Sequence, residues 1–309
     1  MKTMLSVMLA PSQIPVIEEL GPYLPLYGSY KLDGHRAVVM PDGRILTRSA
    51  KPHPNRNLPA FLRDLILISE SCGLSFDGEL CDTSVPFNEL QSMLRDSSAS
   101  LSDGLRFYVF DALRWGEEER TFEARQHVLK GIIKSHMPDN VILLEQVYHC
   151  TPGSIEAHYT RALNRGYEGL ILRGGESEYK HGRATFKSGS MYKLKAFDTI
   201  DAKVIGYEQR KQLKDDAPDE RNELGRKKRT HKAEHYGLAD TVGCLRVRDE
   251  QGRTYTCGWG RGWTDERKLE LWRKIDECIG KWVEVSYMPF GTHELPRMPR
   301  VIRFRDDKD

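Results

Sequence analysis

Tyr30-Lys31-Leu32-Asp33-Gly34-His35-Arg36 places one lysine at the head of a Lys-x-Asp-Gly-x-Arg element. The β-prone run Tyr27-Gly28-Ser29-Tyr30 leads into it, Asp33-Gly34 reads as a turn, and Ala37-Val38-Val39-Met40 is the next apolar run. A lysine at a turn between two strands can aim its amine into a cleft instead of into bulk water. Beside other cations, such an amine can lose its proton near neutral pH and attack an electrophile such as the α-phosphate of a nucleotide. Lys-x-Asp-Gly also occurs in ordinary hairpin turns whose lysine is solvated. The rest of the chain has to decide between these readings.

At 309 residues the chain is long enough for two domains, each with its own core. Charged residues make up 30% but the formal charge is only +2, so the composition is that of a soluble globular protein without the basicity that announces nucleic acid. No apolar run approaches the length of a membrane span, and the N-terminus carries no signal-peptide pattern. Cys72, Cys81, Cys150, Cys244, Cys257 and Cys278 form no C-x-x-C pair. They read as buried or half-buried free thiols in a reducing cytosol, not as a zinc site.

Apolar spacing predicts helices over residues 58–69 and 121–134, with strands at residues 74–80, 106–113, 169–173 and 191–195 between and after them. Beyond about Phe197 the pattern changes to short strands at 204–207, 243–247, 254–257 and 282–287 around one helix over 265–278. Strands around a single helix suggest a small barrel of the OB type. A polar insertion at residues 208–239 separates its first two strands. It holds Arg210-Lys211 and Arg226-Lys227-Lys228-Arg229 with few apolar residues. It reads either as a solvated loop or as a phosphate-binding arm that orders on nucleic acid.

Glu79 and Glu168 each stand beside a glycine at an expected strand edge, and Lys193 and Lys195 alternate so that both amines fall on one strand face. A nucleotidyl-transfer site needs a nucleophilic amine, cations for the α-phosphate, carboxylates for a metal and the ribose, and an aromatic wall for the base. Each kind is present at a turn or strand end.

Their order carries a resemblance. Lys31-x-Asp33-Gly34-x-Arg36, Thr47-Arg48-Ser49, Asp77-Gly78-Glu79, Phe107-Tyr108-Val109-Phe110-Asp111, Glu168-Gly169-Leu170-Ile171-Leu172-Arg173, Tyr192-Lys193-Leu194-Lys195 and Arg303-Phe304-Arg305-Asp306-Asp307-Lys308 resemble the successive motifs of ATP-dependent DNA ligases. These enzymes belong to the covalent nucleotidyltransferase superfamily. The resemblance implies an α+β architecture: a nucleotidyltransferase (adenylation) domain of antiparallel sheets with flanking helices over residues 1–197, then an OB-fold β-barrel over 198–309. It implies ATP and Mg²⁺ as cofactors, with Mn²⁺ able to substitute, and nicked duplex DNA as partner.

Residue by residue, the resemblance makes Lys31 the nucleophile that forms lysyl-AMP. Arg36 and Glu79 would hold the ribose, Phe110 would stack on adenine, and backbone groups of Ser29 and Tyr30 would help select the base. Glu168, with Glu79, would bind the metal. Lys193 and Lys195 would contact the α-phosphate, and Arg48 the 5′-phosphate of the nick. Arg305 and Lys308 would engage the departing pyrophosphate, which requires the barrel to move on a hinge near residues 197–200.

The chain resembles the minimal two-domain ligases of bacteriophages, DNA viruses and bacterial accessory systems. It lacks room before Lys31 for a large DNA-encircling domain, and one-nick chemistry in a cytoplasmic setting needs only a monomer. In some compact viral ligases an arm between the early barrel strands embraces the duplex, at the place residues 208–239 occupy. An RNA ligase, an mRNA capping guanylyltransferase and a non-catalytic nucleic-acid-binding module remain as alternatives.

Overall fold

Between Lys31 and His35 the chain leaves one β-sheet and enters another. A computed structural model describes residues 6–114, 120–136, 138–214, 233–260, 262–288 and 295–305. After a short β1 (Met8–Leu9), Lys31 ends β2 (Leu26–Lys31) and His35 begins β3 (His35–Val39). These strands belong to different sheets, so the turn expected at Asp33-Gly34 does not close the hairpin of the alternative reading but carries the chain from one sheet to the other. Gly34 explains how the chain makes this crossing: a Cβ there would lie 2.7 Å from the Glu79 side chain and strike the Leu80 carbonyl. Only a residue without a side chain lets the backbone press that closely against the second sheet.

The first compact unit spans Met1–Lys195. It continues through β4 (Ile45–Thr47), α1 (Leu58–Phe61), α2 (Arg63–Cys72), β5 (Ser75–Cys81), α3 (Phe87–Arg95), β6 (Arg106–Leu113) and α4 (Phe122–His136). There follow β7 (Val141–Leu143), β8 (Val147–His149), α5 (Pro152–Asn164), β9 (Gly169–Gly174), β10 (Gly182–Arg183) and β11 (Met191–Lys195). One sheet has the order β11-β9-β2-β8, every pair antiparallel; the other has the order β4-β3-β5-β6-β7, antiparallel except for β6 with β7.

Each sheet carries helices on one face. Val39, Phe76, Leu80, Phe107 and Val109 of the second sheet pack with Leu58, Leu65, Leu90, Leu94 and Leu129 of α1–α4. Leu26, Leu170, Leu172 and Leu194 of the first sheet pack with Ile155 and Ala162 of α5. Local chemistry fixes the helix ends. Thr151 accepts a hydrogen bond from the Ser154 amide (3.2 Å) ahead of Pro152, and α2 stops at Gly73 with φ +68°. The predicted helix over 58–69 is broken at Leu62 into α1 and α2.

The second unit spans Ala196–Asp309. Its strands β12 (Asp198–Leu213), β13 (Tyr236–Asp249), β14 (Thr254–Trp259), β15 (Trp282–Met288) and β16 (Arg297–Phe304) close a barrel in the order β12-β13-β14-β16-β15. Val204, Val242, Leu245, Val247, Val283, Val285 and Val301 fill it, with Trp263 and Ile275 from the segment that carries α6 (Asp265–Trp272). A closed barrel removes the exposed edges that an open sheet would present.

Three expectations change here. The insertion at 208–239 is not a loop throughout: β12 and β13 stay paired into it as far as Leu213 with Tyr236, through bulges near Gly206 and Gln209. Its charged centre, including Arg226–Arg229, lies outside the described residues. The expected hinge at 197–200 is also shortened, because Asp198, Thr199 and Ile200 already pair with Tyr287, Ser286 and Val285 of the barrel. Among the cysteines, Cys150 is exposed instead of buried, and all six are free.

Candidate active site

Strand alternation builds one face of the site. Opposed residues on antiparallel strands share a face, and Lys31 stands opposite Gly169, Ser29 opposite Ile171 and Tyr27 opposite Arg173. On the other side of β9, Lys195 stands opposite Gly169 and Lys193 opposite Ile171. Lys31, Lys193 and Lys195 therefore project from the same face of the same sheet. Ser29 shares that face and is buried. Tyr30 points the other way, its ring stacked on Tyr167 at 4.3 Å, so only its backbone remains for a ligand on the lysine side.

Glu168 precedes β9 and is buried with both lysines on it: Lys31 Nζ and Lys195 Nζ each form an ion pair with its carboxylate. Burial alone would raise the Glu168 carboxyl, but the two lysines outweigh it and hold it below the ordinary carboxylate range. Gly169 makes this possible. It has φ +144°, and a side chain there would collide with the Leu194 carbonyl on β11. The glycine lets the three strands close up where the two amines meet.

The second sheet supplies the other wall. Arg36 lies in β3 opposite Glu79 of β5. Its guanidinium makes a two-pronged contact with buried Asp77 (Nε–Oδ1 2.6 Å, Nη2–Oδ2 2.5 Å) and covers the Phe110 ring at 4.5 Å. Asp77 also accepts from the Tyr179 hydroxyl at 2.9 Å. Arg36 is thus already held by Asp77, a residue of the Asp77-Gly78-Glu79 motif to which the sequence reading gave no role of its own. Glu79 sits inside β5, not at the strand edge expected for it.

Burial pushes the Glu79 carboxyl up to about 7, helped by Asp77 and Asp33 and resisted by Arg36 and Lys31. A carboxyl whose folded value is raised contributes stability that is complete below its unfolded value and lost as pH rises through about 7. Glu79→Gln should therefore raise the unfolding midpoint at pH 8 and leave it unchanged near pH 4. Thermal unfolding of the unliganded protein at both values measures this. An equal shift at both would assign the effect to packing.

Cations surround Lys193. Burial, followed by Arg183, Lys195, Lys31 and Arg48, lowers its amine to about 8. Desolvation and then Arg183 and Arg36 lower the pKa of Arg48, in the turn after β4. Lys193 and Arg48, each lowered by burial and by neighbouring cations, are suited to hold an anion. Arg183 is the neighbouring cation that sequence reasoning missed. It lies on a two-residue strand with no periodicity to flag it, tied through Nη1 to the Ala10 carbonyl (2.6 Å). In the barrel, Arg305 pairs with Asp201 at 3.2 Å. Lys308 lies outside the described residues.

Behind the wall, Asp111 is fully buried between two buried arginines. Arg125 holds it with Nε–Oδ1 2.8 Å and Nη2–Oδ2 3.1 Å, and Arg173 with Nη2–Oδ2 2.8 Å. This triad joins β6 of one sheet to β9 of the other. A carboxylate inside the apolar run Val109-Phe110-Asp111-Ala112-Leu113 was the signal for it in the sequence, because such a group is rarely buried without partners.

Residues 8–195 match the family model of the ATP-dependent DNA ligase domain, more than half of the chain. The chain belongs to the ATP-dependent DNA ligase family. Residues 237–305 match the DNA ligase OB-like domain. A DNA ligase of African swine fever virus (isolate Pig/Kenya/KEN-50/1950) is 29% identical over 194 residues, covering 60% of this chain and 45% of the viral protein. A DNA ligase of the archaeon Methanothrix thermoacetophila is 26% identical over 273 residues, covering 80% of this chain and 44% of its own length. The chain thus spans under half the length of these curated relatives. Among solved structures, a Lig E DNA ligase described as binding DNA with a minimal scaffold superposes with a TM-score of 0.69 at 18% identity, covering 97% of this chain and 99% of that one. That likeness shows the fold: a nucleotidyltransferase domain followed by an OB-like barrel.

Proposed function

We propose that this family member seals 5′-phosphate/3′-hydroxyl breaks in duplex DNA with ATP, through lysyl-AMP and DNA-adenylate intermediates. The observation that carries the reading is the convergence of Lys31, Lys193 and Lys195 on one sheet face around buried Glu168. Lys31 Nζ attacks the α-phosphate and the bond to pyrophosphate breaks. Lys193 and Lys195 offset the charge that grows on the phosphoryl oxygens. AMP then passes to the 5′-phosphate of the nick, which Arg48 and Arg183 would hold. The 3′-hydroxyl displaces AMP and restores the phosphodiester. Arg36 and Glu79 would face the ribose, Phe110 the adenine, and Arg305 with Lys308 the pyrophosphate.

Glu168 is a suitable anchor for Mg²⁺, with Glu79 as a second carboxylate and Mn²⁺ as a substitute ion. Among the described residues no cluster of three or more His, Cys, Asp or Glu could hold a metal; Mg²⁺ commonly takes most of its ligands from water and phosphate. When bound, such an ion neutralises phosphate charge.

The test is incubation with ATP and Mg²⁺: the protein should gain the mass of one AMP, mapped to Lys31, and should seal a nicked DNA duplex. Labelling by GTP instead would indicate a capping guanylyltransferase. Sealing of single-stranded RNA alone would indicate an RNA ligase, and absence of any adduct a binding module. A monomer acting in the cytoplasm suffices for this chemistry. No helix among the described residues is long and apolar enough to cross a membrane.

The insertion would serve as a DNA-binding arm. Because Leu213 pairs with Tyr236, residues 214–235 can be exchanged for a two-residue Asn-Gly turn without breaking the barrel. That variant should bind nicked duplex about tenfold or more weakly and with a shallower salt dependence, while its adenylylation rate holds. Unchanged nick affinity would sink the arm reading.

A further inference from the structure

Two glutamine side chains in the first unit, Gln126 of α4 and Gln146 before β8, each have a buried amide oxygen without a partner. Both amides are fixed in orientation. Gln126 Nε2 donates to the Phe110 carbonyl at 2.7 Å, and Gln146 Nε2 donates to the Leu144 carbonyl at 3.2 Å. Turning either amide over would set its oxygen against a carbonyl oxygen, so each must present an acceptor. Polar atoms buried without partners are uncommon, and each asks for a reason.

Their surroundings supply one. Val109 stands opposite Leu143 in the parallel pair of β6 and β7, and the Leu144 amide donates to the Val109 carbonyl at 2.8 Å. Leu144 is therefore the neighbour of Phe110, so the carbonyls that anchor the two amides belong to residues that lie side by side. In the other sheet Tyr27 stands opposite Tyr148, their rings 5.3 Å apart on the face that carries Lys31. Two residues after Tyr27 comes Ser29, and two residues before Tyr148 in the antiparallel partner comes Gln146. Gln126 is thus anchored on the backbone of the residue proposed to stack on the base, and Gln146 immediately precedes the strand paired with β2, which ends in Lys31.

We infer that Gln126 and Gln146 read the 6-position of the purine, each amide oxygen accepting one hydrogen of an exocyclic amino group. This specificity rests on the ATP-dependent reading above. Adenine presents two donors at that position, whereas guanine presents an acceptor, which two amide oxygens would repel.

Lysine adduct formation with ATP and with purine riboside 5′-triphosphate, which lacks the amino group, tests it. The wild-type protein should prefer ATP by at least about tenfold in kcat/KM, since a site built to pair a donor rejects the analogue without it. The preference should shrink in Gln126→Met and Gln146→Met and vanish in the double variant. Any loosening of Phe110 affects both nucleotides alike and cancels in the ratio. If Gln126→Met fails to fold, half-buried Gln146→Met alone should still lower the ratio. Equal use of both nucleotides by the wild type, or an unchanged ratio in a folded variant, overturns the inference. Absence of an adduct with every triphosphate would instead overturn the ATP reading beneath it.

Discussion

Lys31→Ala protein should take no label from α-labelled ATP, with adduct formation reduced by more than about 10³-fold, yet still seal a nick that already carries AMP on its 5′-phosphate. The outcome is not trivial, because the site holds a rival amine. Lys193 shares the face of Lys31, and burial and neighbouring cations lower it to about 8, so about a tenth of it is unprotonated at pH 7, far more than of an ordinary lysine. A low pKa alone would nominate Lys193. Position argues for Lys31. It ends its strand at the crossover between the two sheets, and its amine is held by Glu168 next to Lys195 across Gly169. Lys193 instead lies among Arg183, Lys195 and Arg48, where a cation is suited to hold phosphate. Lys193→Ala should accordingly slow adduct formation but leave the adduct at Lys31. An adduct that survives in Lys31→Ala and maps to Lys193 would reverse the assignment. Sealing of the pre-adenylylated nick should persist because that step uses the phosphate-binding cations and the 3′-hydroxyl, not the amine.

What could be read in the sequence followed strand periodicity. Lys193 and Lys195 sit two residues apart, so β geometry alone put both on one face, and the β-rich pattern after residue 200 led to the barrel. What could not be read was which strands become neighbours. Lys31 and His35 look like the two sides of a hairpin, yet Gly34 lets the chain pass into a second sheet. That step brings Asp77, Glu79 and Phe110 into the same unit as the lysines. Arg183 has no local pattern at all; it reaches the cation group because its two-residue strand pairs with β1, more than 170 residues earlier. Of the insertion, the sequence left a solvated loop and a phosphate-binding arm both open, because its polar composition hid that β12 and β13 need only backbone hydrogen bonds to run on past the barrel core.

Asp111→Asn should lower the stability of the first unit by about 3–5 kcal/mol, a fall of roughly 10 °C in Tm for a domain of this size. The side chain keeps its shape, so the loss is one of charge. Arg125 and Arg173 are both buried, and each makes its shortest carboxylate contact with Asp111 at 2.8 Å. Burial alone would raise the Asp111 carboxyl, but Arg125 and then Arg173 outweigh it and hold it below the ordinary range. A neutral amide leaves two buried guanidinium groups facing each other without a counter-charge. Because the folded carboxyl is depressed, its contribution is present above the unfolded carboxylate value and lost as pH falls through the folded one. The gap between wild type and variant should therefore narrow in acid. The exposed pair Asp42–Arg44 is the control: its side chains are 53% and 57% exposed, and Asp42→Asn should change stability by no more than about 0.5 kcal/mol. If Asp111→Asn behaves like that control in thermal and denaturant unfolding, the triad does not hold the two sheets together. If it destabilises as expected, the adduct rate should fall as well, since Arg173 lies on the strand whose other end is Gly169, between Lys31 and Lys195.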